Sequence, residues 1–399
     1  MQKEISANRP NVKAPNGFQF HAVIMLSLCH FVHDIYSSFF SPLLPLLIDK
    51  HSLSLARGGF LFTIMQVPSL MNPLIGIWAD RISIRWFIIL APSLTAVPMS
   101  LIGVAPGYGV LLLLFFITGV SVSLFHVPSP VMVAKLSGAR KGRGMSFFMT
   151  GGELSRAIGP LVAVGGVSLL GLEGFYPVMI LGLVASFWLL LNFKDMEIET
   201  SVSNPVSLSV IWKETRHLLL PLTGILFARG FMHAAIITFL PTFIKQESGN
   251  LWLAGISLTL VETAGVTGVL LFGSLSDTLG RRNMLFFSLI VAPIMLLSFT
   301  WFSDWLRFAA LIATGFSLLS LSPVMMALVQ ENSESAPAAA NGIYMMASFL
   351  ARSSVVVIVG FLGDLIGLRF TFMLTALMGF MGIPFILMLP EGKQTARIR

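Results

Sequence analysis

Charged residues and cysteines are scarce in this chain. Only 11% of its 399 residues are Asp, Glu, Lys or Arg, against about 25% in a typical soluble domain. No long polar stretch is present from which a soluble domain could be built, and the single cysteine, Cys29, excludes an internal disulfide. Hydrophobic residues supply 55% of the chain and the mean hydropathy is +0.86. The composition therefore predicts an integral membrane protein.

Twelve apolar segments are long enough to cross a bilayer as helices, since a spanning helix needs about 20 mostly apolar residues. Backbone amides in lipid must be satisfied within each segment, which favours helices. The first segment is too long for the core of a cleaved signal peptide, so we expect it to be retained. The spans are predicted at roughly 21–48, 57–79, 86–105, 110–133, 144–170, 174–193, 218–246, 253–276, 283–301, 306–330, 338–364 and 368–390.

The basic residues fall mainly on one side of the predicted membrane. If the N-terminus is cytoplasmic, most Lys and Arg residues lie in cytoplasmic segments, as the positive-inside rule requires. The opposite side then carries only Lys50, Arg57, Lys245, Arg307 and Arg369. We therefore expect an inner-membrane protein with both termini in the cytoplasm. The net charge of +7 is attributed to this topology and not to nucleic-acid binding.

The longest polar stretch divides the chain into two halves of six spans each. The predicted units are a cytoplasmic tail (1–20), an N-terminal six-helix bundle (21–193), a cytoplasmic linker (194–217), a C-terminal six-helix bundle (218–390) and a second tail (391–399). We expect an all-α membrane protein that works as a monomer.

A short charged turn occurs once in each half. Gly76–Arg85 reads G-I-W-A-D-R-I-S-I-R and Gly273–Arg282 reads G-S-L-S-D-T-L-G-R-R, and the Gly, the Asp and the last Arg are each displaced by 197 positions. The halves are thus expected to be parallel repeats about a pseudo-two-fold axis along the membrane normal. An Asp at the membrane surface can pair with a loop Arg or a helix N-terminus and so latch two helices. The candidate gating residues are Gly76, Asp80, Arg81, Arg85, Gly273, Asp277, Gly280, Arg281 and Arg282.

The second turn resembles the signature loop of the major facilitator superfamily. Three stretches of the first half resemble the fosmidomycin-resistance branch of that superfamily: C-H-F-V-H-D-I-Y (Cys29–Tyr36), S-L-F-H-V-P-S-P (Ser123–Pro130) and M-T-G-G-E-L-S-R-A-I-G-P (Met149–Pro160). Members of that branch are drug efflux proteins. The resemblance implies two six-helix bundles around a central cavity lined by spans one, four, five, seven, ten and eleven.

Two departures from the family pattern are visible. Ser83 and Ile84 stand in the first turn where the second has glycine and arginine, and Glu153 and Arg156 add charges to span five, where the branch is expected to be uncharged. The resemblance therefore implies a fold and a transport activity, and it leaves the substrate open.

Six ionisable residues lie near the middle of predicted spans, where such a group costs about 2.5–3.5 kcal/mol on insertion scales and marks a functional hypothesis. Arg156 and Arg352 are 196 positions apart, so they occupy nearly equivalent places in the two halves. Guanidinium groups suit carboxylates and phosphonates. The candidate substrate-binding residues are Arg156, Arg229, Arg352, Tyr36, His33 and His233, and the candidate proton carriers are Asp34, Glu153 and Glu262.

Alternatives to these roles are open. Glu153 and Arg156 have the i, i+3 spacing of a structural pair. His30, His33 and Asp34 share one helix face and could bind a divalent transition metal. His33 could also relay protons or pack within the bundle, and no bound metal is assigned to the site.

The sequence favours proton-coupled export of a small anionic or amphiphilic compound by alternating access. The alternatives are a proton-coupled uptake symporter for an organic anion and, less favoured, a divalent-metal transporter. No catalytic cluster, nucleotide-binding loop, selectivity filter or signalling domain indicates an enzyme, a pump, a channel or a sensor. We expect no cofactor, and the expected partners are the substrate, protons and lipid.

Overall fold

The structure is a computed structural model, and it describes residues 17–72, 75, 84–138, 140–194, 208–332 and 337–389. Every regular element in these ranges is a helix. The helices of the first bundle are α1 (Phe20–Ser37 and Phe40–His51), α2 (Leu55–Gln66, continued by Val67–Met71), α3 (Ile84–Leu101), α4 (Tyr108–His126 and Ser129–Leu136), α5 (Lys141–Leu170) and α6 (Glu173–Met179 and Ile180–Phe193).

The second bundle repeats this arrangement. Its helices are α7 (Leu208–His233, Ala234–Phe239 and Leu240–Ser248), α8 (Leu251–Leu279), α9 (Arg281–Trp301), α10 (Asp304–Leu319 and Leu321–Glu331), α11 (Pro337–Ile366) and α12 (Leu368–Phe380 and Ile383–Leu387).

The helices confirm the predicted all-helical, twelve-span fold. Eleven segments within the described residues are long and apolar enough to cross a membrane. The remaining one, α2, borders residues 73–74 and 76–83, which lie outside the described ranges. One difference concerns the segment predicted as a linker, because α7 already begins at Leu208. No Pro or Gly interrupts residues 206–220, so the helix extends beyond the apolar part of the span.

Four helices are interrupted near their middle, and they occupy equivalent places in the two halves: α1, α4, α7 and α10. A proline lies at or shortly after each interruption: Pro42, Pro128, Pro241 and Pro323. Proline lacks the N–H that would continue the helical hydrogen bonds, so it bends or breaks the helix. In α7 the interruption is a π-helical turn, Ala234–Phe239, a feature often found at functional sites. Interrupted helices at mid-depth are typical of transporter binding sites.

Within the described ranges, the hydrogen bonds between the bundles lie in the half of the molecule opposite the termini. The carboxylate of Asp364, near the end of α11, accepts hydrogen bonds from the first two amides of α2, Leu55 N–H at 2.7 Å and Ala56 N–H at 2.9 Å. A carboxylate suits this position because a helix N-terminus has free N–H groups and a partial positive charge. Lys245 of α7 pairs with Asp49 of α1 at 2.5 Å.

Close backbone packing of α2 against α11 supports the same closed end. A Cβ atom added to Gly59 would lie 2.8 Å from the carbonyl oxygen of Val356, and one added to Gly360 would lie 2.6 Å from that of Leu55. Only glycine permits this approach, as at other small-residue contacts between membrane helices. The bundles are therefore sealed together at the end where α1 meets α2 and α7 meets α8.

Candidate transport site

A buried carboxylate in α1 is surrounded by three imidazoles. Asp34 Oδ2 lies 3.1 Å from His30 Nε2, one helical turn earlier. Asp34 Oδ1 lies 2.8 Å from His33 Nδ1 and 3.1 Å from Nε2 of His126 in α4. Asp34 is only 8% exposed, and an ionisable group buried this deeply requires such partners. We call Asp34, His30, His33 and His126 the Asp34 cluster.

The His33 ring connects the Asp34 cluster to two hydroxyl groups. Its Nε2 lies 2.9 Å from Thr95 Oγ1 in α3, and the Thr95 hydroxyl donates to Ser121 Oγ in α4 at 2.7 Å. Ser121 in turn donates to the carbonyl oxygen of Ala91 at 2.8 Å. The chain of hydrogen bonds therefore ends at a group that can only accept.

Aromatic rings and one carbonyl fix the two imidazoles of α1. His30 stacks on Phe148 at 4.1 Å between ring centroids and places its Nδ1 2.8 Å from the Phe148 carbonyl oxygen. His33 stacks on Phe125 at 4.4 Å. The rings cannot turn without losing these contacts. Every contact of the Asp34 cluster described so far lies within the first bundle.

Three donor atoms of the Asp34 cluster could surround a cation. One ligand atom each from His30, Asp34 and His126 lies within 4.8 Å of the others. Each imidazole in this set already faces the carboxylate at hydrogen-bond distance. These distances fit hydrogen bonds, so we treat the group as a hydrogen-bonded network.

Arg156 stands at the boundary between the Asp34 cluster and the second bundle. It pairs with Glu153 one turn earlier in α5, as its i, i+3 spacing predicts. Its side chain is 48% exposed although it lies mid-helix, and its charge interacts with Glu262 in α8 and with Asp34. From the exposure and the partner across the interface we infer that Arg156 faces a cleft between the bundles.

The second bundle contributes two arginines without acidic partners. Arg229 of α7 is buried and donates from Nε to the carbonyl oxygen of Leu318 at 3.0 Å. The Arg352 guanidinium of α11 lies over the Phe349 ring at 4.9 Å, and its Nε is buried without a hydrogen-bond partner among the described residues. Neither guanidinium has a carboxylate within ion-pair distance in the part of the chain that the structure describes.

His233 lies within electrostatic range of three arginines. His233, the residue before the π-helical turn of α7, interacts electrostatically with Arg229, Arg352 and Arg156. Tyr344 of α11 is buried and interacts with Arg229 and Arg352. The structure thus brings together four of the predicted site residues from both bundles and adds Tyr344, which carries no charge and was not predicted.

Two predicted substrate contacts lie away from the cleft in this conformation. The Tyr36 hydroxyl donates to the carbonyl oxygen of Val178 at 2.6 Å and accepts from Gly182 N–H at 3.0 Å, which holds α1 against α6. His33 is fully buried, with both ring nitrogens engaged. Substrate contact by these two side chains stays a prediction.

The second charged turn connects four helices of its own bundle, α8, α9, α10 and α12. Asp277 at the end of α8 pairs with Arg281 at 2.5 Å, and Arg281 also contacts Ser276 and pairs with Glu331 of α10 at 2.8 Å. Gly280 adopts φ +91°, where glycine is favoured. Arg282 donates to the carbonyl oxygen of Leu387 in α12. Gly273 lies within α8.

The structure describes only the last two residues of the first charged turn, at the start of α3. Gly76, Asp80 and Arg81 lie outside the described residues. Arg85, at the start of α3, has its guanidinium 5.9 Å from the centre of the Trp86 ring. The gating role of both turns stays a prediction.

Comparison with known proteins decides the family. The family model described as Major Facilitator Superfamily matches residues 26–354 and, in a second alignment, residues 222–398. The chain belongs to the major facilitator superfamily. It is therefore a multi-pass membrane transporter that handles a small-molecule substrate.

Two relatives within the superfamily have low sequence identity to this chain. The fosmidomycin resistance protein of Escherichia coli (strain K12) is 22% identical over 380 residues, which cover 92% of each chain. The uncharacterised MFS-type transporter YfnC of Bacillus subtilis (strain 168) is 25% identical over 154 residues, which cover 38% of this chain and 37% of YfnC. The first relative confirms the resemblance to the fosmidomycin-resistance branch.

Solved structures share the superfamily fold. A bacterial homologue of the human lysosomal transporter Spinster, in an inward-facing and occupied conformation, matches with a TM-score of 0.82 and 14% identity, over 93% of this chain and 96% of that one. A D-xylose–proton symporter matches with a TM-score of 0.71 and 16% identity, over 95% and 99% of the two chains. At these identities the likeness concerns the fold alone.

Proposed function

We propose that the protein exports a small anionic compound, or an amphiphilic compound with an anionic group, in exchange for protons across the inner membrane. The observation that carries this proposal is the pair of guanidiniums of Arg229 and Arg352, which lack a carboxylate partner among the described residues. Unneutralised charges at mid-membrane depth are costly unless a ligand pairs with them. Carboxylates and phosphonates bind guanidinium groups in a bidentate manner.

The anion would bridge the two bundles. Arg156 extends from α5 of the first bundle into the cleft, whereas Arg229 and Arg352 belong to the second, and all three act on His233. An anion held from both sides favours closure of the cleft around it, because closure brings the opposite walls into contact with the ligand. Closure would occur at the end near the termini, since the other end is already sealed by contacts such as that of Asp364.

Proton binding would oppose this closure and favour the open cleft. The helices that supply the Asp34 cluster are interrupted beside it, α1 four residues after Asp34 and α4 directly after His126. A change of bend at these points would move His126 relative to Asp34 and alter proton binding. All contacts of the Asp34 cluster are present in the conformation described here, so bound protons would stabilise this conformation. Two ligands that favour opposite conformations are exchanged across the membrane.

The direction of transport is inferred from two observations. The name of the Escherichia coli relative concerns resistance to fosmidomycin, which supports efflux. The sealed end lies opposite the termini, and the distribution of Lys and Arg predicts that both termini are cytoplasmic. The cleft described here would then load its substrate from the cytoplasm.

Proton-coupled uptake of an organic anion is the alternative. The charge of Arg156 interacts with both Asp34 and His126. A proton added to the Asp34 cluster increases the positive charge near Arg156 and so attracts an anion in the same conformation. If this electrostatic attraction exceeds the preference of protons and anion for opposite conformations, protons and the anion are transported in the same direction.

The sign of a pH change in vesicles separates these functions. Purified protein would be reconstituted into vesicles that contain a pH dye and are loaded with a phosphonate, a carboxylate, a cationic dye or Zn²⁺. Exit of an anion by exchange acidifies the vesicle interior, whereas exit by symport makes it alkaline, whatever the orientation of the protein. We expect acidification with a phosphonate or a carboxylate.

Variants test the assigned residues in the same assay. Arg352→Ala and Asp34→Asn should lose the pH response, and Arg369→Ala should keep it, because Arg369 lies at the start of α12 and is 55% exposed. A response to Zn²⁺ or to the cation alone would overturn the proposed substrate class. Wild-type behaviour of both Arg352→Ala and Asp34→Asn would overturn the site.

A further inference from the structure

We propose that the Asp34 cluster binds two protons beyond those of neutral imidazoles, so that two protons are exchanged for each anion. This inference rests on the proposed function and specifies its stoichiometry. It follows from the directions that the hydrogen bonds around His30 and His33 must take. The number of hydrogen-bond donors and acceptors that each group carries is enough to determine these directions.

The contact between His30 and Asp34 requires an added proton. The Phe148 carbonyl oxygen, 2.8 Å from His30 Nδ1, can only accept, so Nδ1 carries the hydrogen. A neutral imidazole has one N–H, and Nε2 is then bare. Nε2 nevertheless lies 3.1 Å from Asp34 Oδ2. Two lone pairs do not attract each other, so one proton lies between these atoms, on the imidazole or on the carboxyl group.

The contact between His33 and Asp34 requires a second added proton. The Ser121 hydrogen is directed at the Ala91 carbonyl, so Ser121 must accept from Thr95, and Thr95 has no hydrogen left for the imidazole. Thr95 therefore accepts from His33 Nε2–H at 2.9 Å. The bare Nδ1 lies 2.8 Å from Asp34 Oδ1. This contact again needs a proton that neither neutral imidazole nor carboxylate supplies.

The contact between His126 and Asp34 requires no added proton. His126 Nε2 lies 3.1 Å from Asp34 Oδ1, and a neutral imidazole with its hydrogen on Nε2 satisfies it. The complete network therefore carries a net charge of about +1, wherever the two protons reside, and about −1 after both leave. The loss of either proton leaves one nitrogen–oxygen contact at about 3 Å without a hydrogen and favours its separation.

Among the described residues, few charges other than its own members act on the Asp34 cluster. Arg156 acts on it from α5 and is itself paired with Glu153. Thr95 and Ser121 supply uncharged hydroxyls from α3 and α4. Both added protons are thus held by groups whose other contacts lie within the first bundle.

A balance-point measurement determines the number of protons. Vesicles containing the protein would be held at zero membrane potential with one pH unit across the membrane, and the gradient of a transported phosphonate would be varied until net flux stops. Exchange of two protons per anion balances at about a 100-fold phosphonate gradient, and exchange of one proton at about 10-fold. We expect about 100-fold for the wild type.

Single substitutions assign the protons. His33→Asn and His30→Gln each remove one proton-requiring contact and should move the balance to about 10-fold. His21→Gln, an exposed histidine of the same helix, should leave it near 100-fold. A wild-type balance near 10-fold overturns the two-proton inference while leaving exchange intact. A flux with no dependence on the pH gradient overturns the proposed function itself. The wild-type result decides between one and two protons even if a variant does not fold.

Discussion

The Asp364 carboxylate of α11 binds the N-terminal amide of Leu55 in α2 at 2.7 Å, so a helix of one bundle is capped by a side chain of the other. The second oxygen takes the neighbouring amide of Ala56 at 2.9 Å. Because the partners belong to different bundles, the cap exists only while this end of the molecule is closed. It therefore contributes directly to the balance between the two conformations.

Removal of this cap should open the sealed end. Loss of an N-terminal cap costs about 0.5–2 kcal/mol, so Asp364→Ala should shift the ratio of conformations by about 2- to 30-fold. Electron–electron distance measurements between spin labels at His51 and Gln246, in a Cys29→Ser background, would show a growing long-distance population. Asp304→Ala is the control, because Asp304 lies at the same end and its carboxylate accepts a hydrogen bond only from Ser303 among the described residues. Unchanged distances in Asp364→Ala would contradict a gating role.

Substitutions of Arg352 should separate the contribution of guanidinium geometry to anion binding from the contribution of its charge. If its guanidinium binds the anion in a bidentate manner, Arg352→Lys keeps the charge but loses one hydrogen bond. A hydrogen bond to a charged group contributes about 1.5–3 kcal/mol, so the half-saturating phosphonate concentration should rise at least about 10-fold in Arg352→Lys and further in Arg352→Ala. Initial rates of uptake into vesicles measure this. Equal effects of the two substitutions would show that the bidentate geometry of the guanidinium does not contribute to anion binding.

Asp34→Asn should separate binding from coupling. The amide cannot carry the shared protons, yet the arginines of the second bundle are untouched. We expect the variant to exchange labelled for unlabelled anion across the vesicle membrane at equal pH, and to fail in transport driven by a pH gradient. Loss of both activities, with an unchanged melting temperature, would place Asp34 in the anion site instead.

The second charged turn should be stabilised mainly through Arg281. Its side chain is 17% exposed and contacts Asp277, Glu331 and Ser276, whereas Asp277 is 62% exposed. Exposed ion pairs contribute about 0–1 kcal/mol. Arg281→Ala should therefore lower the melting temperature in detergent by more than Asp277→Ala does. A double substitution of Asp277 and Glu331 that destabilises no more than Asp277→Ala alone would exclude a role for the Arg281–Glu331 pair.

The fold was readable from the sequence because a membrane imposes simple requirements. Long apolar runs must form helices, and the turns at Asp80 and Asp277 show that the halves repeat. The limits of α7 were less readable, since helix formation can continue past the apolar stretch, here back to Leu208. The mid-span charges indicated candidate site residues, because a charged side chain within the membrane is energetically costly and usually functional.

The environment of Asp34 was only partly readable. Its helix spacing brings His30 and His33 to one face, but His126 arrives from another helix, and sequence spacing does not show contacts between helices. Thr95 and Ser121 gave no signal, since hydroxyl side chains in apolar helices commonly bond to their own backbone, as Thr118 does here. Tyr344 was missed for the related reason that an uncharged residue does not stand out in a span.

The separation of the Asp34 cluster from Arg229 and Arg352 has a consequence for how such transporters diverge. The hydrogen bonds of the cluster are all made by residues of the first bundle. Substitutions around the two arginines can therefore accumulate without disturbing the group proposed to bind protons. A lineage could thus change its cargo largely through the second half of the gene, while the first half keeps the proposed proton site.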